Sequence, residues 1–279
     1  MQEITPKNPL AWLLILLVLG YAGVLILAPI YAITDGAIER GWQPIETTLN
    51  DPSVQHALQI TLNLSLAATA INAVLGLITA WVLVRHEFAG KRWLNALVDI
   101  PFAFSPVILG YALIVLFGRG GWLEDYLPFA IVFAYPGILI AKAQVTMPFV
   151  AREVAPVLES LPREPEEAAY TLGASRWRVF WRIIMPAIWV GLAYGVILAL
   201  ARALGEFGAV AAVSGGIEGK TETATMYVFR ALQDRNRVGA YTISLVLGSV
   251  SVGILILMSL VKWILKQQQE RQSRVYHTD

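Results

Sequence analysis

Residues 152–186 read REVAPVLESLPREPEEAAYTLGASRWRVFWRIIMP, and how this stretch folds decides what the rest of the chain must be. Glu164, Glu166 and Glu167 crowd what reads as the first turn of a helix, where carboxylates suit the positive end of the dipole and Pro165 is tolerated. Gly173 supplies a stop, and Ser175 can cap a second helix. In that second helix Arg178 and Arg182 sit four apart and face away from Val179 and Ile183, and Pro186 leads into an apolar run. The spacing predicts a charged helical hairpin, and the sequence on either side of it is apolar for most of its length.

A helix crossing about 30 Å of hydrocarbon needs about 20 apolar residues. Stretches of that kind lie at about 10–33, 57–84, 100–118, 129–150, 187–213 and 238–261. They predict an all-α polytopic membrane protein with about six transmembrane helices. A single transmembrane domain over 1–279 would then carry the hairpin 152–186 as its longest loop. Composition agrees: 57% of the 279 residues are hydrophobic and 15% charged, against about 25% charged in soluble domains. A soluble single-domain enzyme and a disordered chain are both excluded.

The net charge of +1 gives no field to hold nucleic acid, and no nucleic-acid partner is expected. With no cysteine and three scattered histidines, no metal site is expected either. The first apolar stretch is longer than a signal-peptide core and reads as an uncleaved helix.

Six spans place both termini on one side. Thirteen of the 21 Lys and Arg fall in segments on the side of the termini and six in the opposite loops, an asymmetry that predicts cytoplasmic termini and a cytoplasmic hairpin. Trp12, Trp42, Trp81, Trp93, Trp122, Trp189 and Trp263 lie near proposed span ends, where an indole sits well among headgroups.

No phosphate-binding loop occurs. Gly219, Lys220 and Thr221 imitate its last three residues, but Ser214 stands where the first glycine must be. HExxH and GxSxG are also missing, so no catalytic residue is assigned and the chain is not expected to be an enzyme.

The hairpin carries Glu167, Ala168, Ala169, then Gly173, Ile183, Met185 and Pro186. This resembles the EAA pattern of binding-protein-dependent ABC importer permeases, with Met185 as a shape-tolerant replacement for leucine. Three further stretches, Asp99–Leu123, Val145–Glu159 and Ala201–Ala224, are similar to sulfate/thiosulfate permease. The Ser105-Pro106-Val107 form and the run from Ala201 to Val210 look most like its W-type subunit. After Thr225 the similarity weakens.

The resemblance implies an ATP-driven importer in which the hairpin is a coupling helix, with Glu167, Ala168, Ala169, Gly173, Ser175, Arg176 and Pro186 meeting the ATPase. It implies a second permease of the T type, an ATPase dimer that holds ATP and Mg, an extracytoplasmic sulfate-binding protein, and residence in a prokaryotic inner membrane. This chain itself would bind no cofactor. Molybdate and tungstate permeases share a similar Gly-Glu-x-Gly segment, so the anion stays open between them and sulfate or thiosulfate.

Arg202 and Glu206 fall inside a proposed span, where one charge costs about 2.5–3.5 kcal/mol. Spaced four apart, they can pair. Either they line the translocation path, Arg202 attracting the dianion and Glu206 tempering its hold, or they form a structural ion pair. Lys142 either snorkels or faces the bundle in a pair, ahead of meeting the anion. Thr61, Ser65, Thr69 and Asn72 share one face of the second span, which helix packing explains more readily than a hydroxyl-lined path. Ser105, Thr61 and Ser65 remain candidates for that path beside Arg202 and Glu206. An autonomous carrier using Arg202, Glu206 and Lys142 as an ion relay is the competing class, but the two halves show no convincing internal repeat.

Overall fold

The computed structural model describes residues 9–276, with side chains placed through residue 260. Lys7, the side chains of Trp263 and of the basic residues from 262 onward, and the termini therefore lie outside the described residues. Every regular element among the described residues is helical.

Helix α1 runs Pro9–Ile38, α2 Trp42–Asn50 and α3 Pro52–Arg85. Next come α4 (Lys91–Ala103), α5 (Pro106–Phe117), α6 (Tyr135–Ser160), α7 (Glu164–Thr171) and α8 (Arg176–Val179). The chain finishes with α9 (Met185–Leu204), α10 (Gly208–Val213), α11 (Ala224–Gln233) and α12 (Arg237–Tyr276).

Among the described residues, four segments are long and apolar enough to cross a membrane: Leu10–Ile38, Pro52–Arg85, Arg176–Leu204 and Arg237–Leu260. The other two expected spans take different forms. In place of a single helix over 100–118, α4 and α5 meet at 113°. Pro106 has no N–H and pushes Ser105 out of the helical region, so Ser105 is extended (φ −60°, ψ 137°) and Pro106 starts a new helix. The span expected over 129–150 starts later, at Tyr135 with Pro136 in its first turn, and continues to Ser160. It is less apolar than the four because it includes Lys142, Arg152 and Glu153.

The span expected over 187–213 also breaks. Helix α9 ends at Leu204, and α10 begins only at Gly208. At its other end α9 continues back through a π-helical turn, Phe180–Ile184, into α8. Pro186 cannot donate to the carbonyl four residues back. The wider turn absorbs that loss, with the Met185 N–H donating to Phe180 O, five residues back.

By internal contacts the chain forms two units. One comprises residues 1–51 and 228–246; in it the Gly36 position of α1 abuts the ring of Tyr241, and Ala37 is fully buried. Most of α1 from Leu10 to Tyr31 exposes its large apolar side chains. The other unit comprises 52–227 and 247–279. In it α6 lies between α3 and α9, and α5 packs on α10.

Small residues set the spacing of that three-helix core. A Cβ on Gly76 of α3 would lie 2.7 Å from Val150 Cβ, and one on Gly195 of α9 would lie 2.9 Å from Val150 Cα. Both neighbours therefore approach α6 at the same residue, as membrane helices do where van der Waals packing replaces the hydrophobic effect. Ala80, Val154, Leu158, Ile184 and Ile188 complete the cluster toward the hairpin.

Candidate functional site

The hairpin is built as its local chemistry dictates. Glu164, Glu166 and Glu167 occupy the first turn of α7. The helix ends where Gly173 takes φ +82°, with the Gly173 N–H donating to Tyr170 O and the Ala174 N–H to Ala169 O, each at 3.0 Å. This is a Schellman closure, which needs the left-handed residue that glycine supplies. Ser175 then caps α8, its Oγ accepting from the Arg178 N–H at 3.4 Å.

The hairpin divides the expected coupling residues between two faces. Ala169 and Ala174 pack toward the core with Val179 and Ile184. Glu167, Ala168, Gly173, Ser175, Arg176 and Pro186 are exposed, as is Leu172 at 88% of its surface. The outer face of α7 is thus flat at Ala168 and charged at Glu167.

Glu166 has a different role, which its position in an acidic run conceals. Its carboxylate pairs with the guanidinium of Arg85 at 2.5 Å, the side chains being 13% and 9% exposed. Arg85 is the last residue of α3, and its Cζ lies 6.0 Å from the centroid of the Trp81 ring. Trp81, Phe180, Trp177 and Trp181 form a chain of edge-on and stacked rings behind it. Arg85, Glu166, Trp81, Trp177 and Phe180 line a groove of about 640 Å³ between the end of α3 and the hairpin. A second anchor holds α4: Arg152 of α6 donates through Nε and Nη2 to both carboxylate oxygens of Asp99 at 2.8 and 2.6 Å, and through Nη1 to Asn95 Oδ1 at 2.9 Å. Neither anchor is marked by local sequence spacing.

A polar cluster lies where α9 gives way to α10. Arg202 Nη1 approaches Glu206 Oε2 to 2.7 Å, so the expected pair forms. Glu206, however, stands past the end of α9 and not on its face. The Oε2 contact is a close ion pair outside aligned hydrogen-bond geometry, whereas Oε1 accepts from the Ala209 N–H at 2.9 Å. The two members are unequally placed: the Glu206 side chain is 1% exposed and that of Arg202 35%.

Lys142 is fully buried and faces the bundle. Its Nζ donates to Ala203 O at 2.6 Å and Ser65 Oγ at 3.1 Å. One helical turn on from Lys142, Thr146 joins Asn72 in a second link between α3 and α6, the Asn72 amide donating to Ala143 O and Thr146 Oγ1 at 2.8 Å each.

The remaining path candidates separate by exposure. Thr61 is buried, its hydroxyl donating to Ala57 O and accepting from the Ala224 N–H, both at 2.8 Å. Ser65 is buried against Lys142. Ser105 is exposed at the start of α5, with no capping bond from its side chain. Arg202 and Ser105 are therefore the two that the chain presents outward.

The chain is similar to known transport proteins over most of its length. A sulfate transport system permease protein CysW of Synechocystis sp. is 42% identical over 254 residues, covering 90% of this chain and 92% of that protein. A sulfate transport system permease protein CysT of Escherichia coli K12 is 36% identical over 235 residues, covering 83% and 85%. Among solved structures, a bacterial alginate ABC transporter in complex with an alginate pentasaccharide-bound periplasmic protein superposes with a TM-score of 0.75 at 16% identity, over 89% of this chain and 92% of that one, a likeness of fold. The family model for the binding-protein-dependent transport system inner membrane component matches residues 72–269, which include the hairpin, Lys142, Arg202 and Glu206. With that match over most of its length, the chain belongs to the family of binding-protein-dependent transport system inner membrane components.

Proposed function

We propose that this chain is the W-type permease subunit of an ATP-driven importer of sulfate or thiosulfate. The observation that carries the reading is the outward face of the hairpin: Glu167 and Ala168 exposed on a helix whose end is fixed by Gly173 and whose start is tied to α3 through Glu166 and Arg85. A partner that grips this face moves α3 and α9 with it. The similarity to CysW and CysT proteins supports the anion and a pairing with a T-type permease.

In this reading ATP and Mg sit on a separate ATPase dimer, and the hairpin carries its closure to the spans. An extracytoplasmic binding protein delivers the anion. The Lys/Arg distribution supports a bacterial inner-membrane orientation with the hairpin and both termini in the cytoplasm. Arg202 presents a cation to the path, Ser105 is a second exposed polar candidate, and the burial of Glu206 keeps its charge from facing the dianion directly.

The test is uptake of radiolabelled sulfate into proteoliposomes that hold this chain with a T-type permease, the ATPase and the binding protein. ATP-dependent uptake insensitive to molybdate is expected. Uptake abolished by low molybdate moves the assignment to the molybdate/tungstate branch, and uptake without ATP overturns the importer reading.

A further inference from the structure

Lys142 is a fully buried cation that neither the hairpin's coupling face nor the attraction of an anion by Arg202 uses. Burying an ammonium in a membrane bundle is costly, and a methionine would fill the same space more cheaply. Its two partners explain its retention. Ala203 is the next-to-last residue of α9, and its carbonyl belongs to the negative end of a helix that stops inside the bundle. Ser65 lies on α3, so one side chain of α6 ties both neighbouring helices at the level of the break.

The break has opposite charges on its two sides. Lys142 meets the carbonyl end of α9, and the Glu206 carboxylate takes the Ala209 N–H where the chain turns helical again. The charged groups that act on Lys142 are Glu206 and Arg202. Two cations and one carboxylate leave a surplus positive charge. Of the three, only Arg202 is substantially exposed.

We infer that Lys142 is a positioning residue for anion passage: it clamps the end of α9 to α3, fixes the break at Gly205–Phe207, and so sets Arg202 at the open edge of the cluster with Glu206 behind it. This rests on the reading of Arg202 as a path residue. Lys142 itself does not touch the anion.

A double-mutant cycle in the reconstituted importer tests it, with Lys142→Met, Arg202→Met and the double variant. The readout is sulfate turnover per assembled complex at saturating sulfate-loaded binding protein, beside complex yield and melting temperature. Each single variant is expected to lower turnover about tenfold, and the double variant to fall no more than about twofold below the lower single. Lys142→Arg, which keeps charge and donors, is expected to recover a substantial part of the loss. Should Lys142→Met fail to assemble, Lys142→Gln, which keeps a donor without the charge, takes its place in the cycle.

If the Lys142 variant lowers only yield or melting temperature while turnover per complex is unchanged, the positioning role is overturned and a structural plug remains. If the two losses multiply to about a hundredfold, Lys142 acts independently of Arg202 and the proposal also falls. Unchanged turnover in Arg202→Met overturns the path reading itself, and the proposal with it.

Discussion

Arg85 closes α3 and Glu166 opens α7, and their ion pair is the link through which the hairpin is fastened to a membrane span. Both side chains are mostly buried, and Trp81 covers the guanidinium from one side. Removing one partner leaves the other charge largely desolvated, at a cost of about 3 kcal/mol for a buried pair and less here, where some water reaches both. Arg85→Gln is expected to leave a complex that assembles but whose ATPase is stimulated several-fold less by the loaded binding protein. The exchanged pair Arg85→Glu with Glu166→Arg should restore part of the stimulation. Comparing ATPase rates with and without the loaded binding protein checks both.

Gly173 gives a sharper contrast because its surroundings are empty. Nothing lies within 4 Å of a Cβ built there, so the whole effect of a substitution comes from the backbone at φ +82°. Asparagine enters that region at little cost, and a β-branched residue does not. Gly173→Asn is expected to retain most sulfate uptake, whereas Gly173→Val should lose most of it with the protein still inserted in the membrane. Equal uptake by the two variants would show that the Schellman turn does not set the angle of the hairpin.

The hairpin was legible in the sequence because its determinants are local. Gly173, Ser175 and the acidic first turn each act within four residues, and each appears where expected. The two broken helices were not read. Their apolar composition runs on through Phe104 and through Phe207, and hydropathy cannot see a break inside an apolar run. The signals were present in another form: Pro106 is a first-turn proline that forces Ser105 out of the helix, and Gly205 with Gly208 brackets Glu206. Pairs such as Arg85 with Glu166 or Lys142 with Ala203 join positions far apart in the chain, which no local spacing encodes.

Arg152 supplies another test of a contact between distant positions. It holds α4 through Asp99 and Asn95, and α4 is otherwise a short helix whose Trp93, Leu97 and Phe102 are exposed. Arg152→Gln is expected to lower the melting temperature of the complex, since charged hydrogen bonds contribute about 1.5–3 kcal/mol each when well formed and the exposure here reduces that. Proteolysis in the 86–105 segment should become faster in the variant. An unchanged cleavage rate there would mean that the packing of Val98 against Leu83 of α3 and Ala151 of α6 holds α4 without it.

Glu206 separates charge from hydrogen bonding. Glu206→Gln retains an oxygen for the Ala209 N–H and removes the negative charge facing Arg202. Glu206→Ala removes both, and leaving that buried N–H without a partner costs about 1–3 kcal/mol. The alanine variant is therefore expected to melt earlier than the glutamine variant by several degrees. The glutamine variant should instead show its effect in transport: with no carboxylate behind Arg202, the dianion is held more tightly and leaves more slowly. Sulfate turnover should fall about tenfold, the size of a coupling of about 1.4 kcal/mol, while the ATPase still responds to the loaded binding protein. Normal turnover with a lowered melting temperature in both variants would make the pair a structural lock between the two helices and remove Glu206 from the anion path.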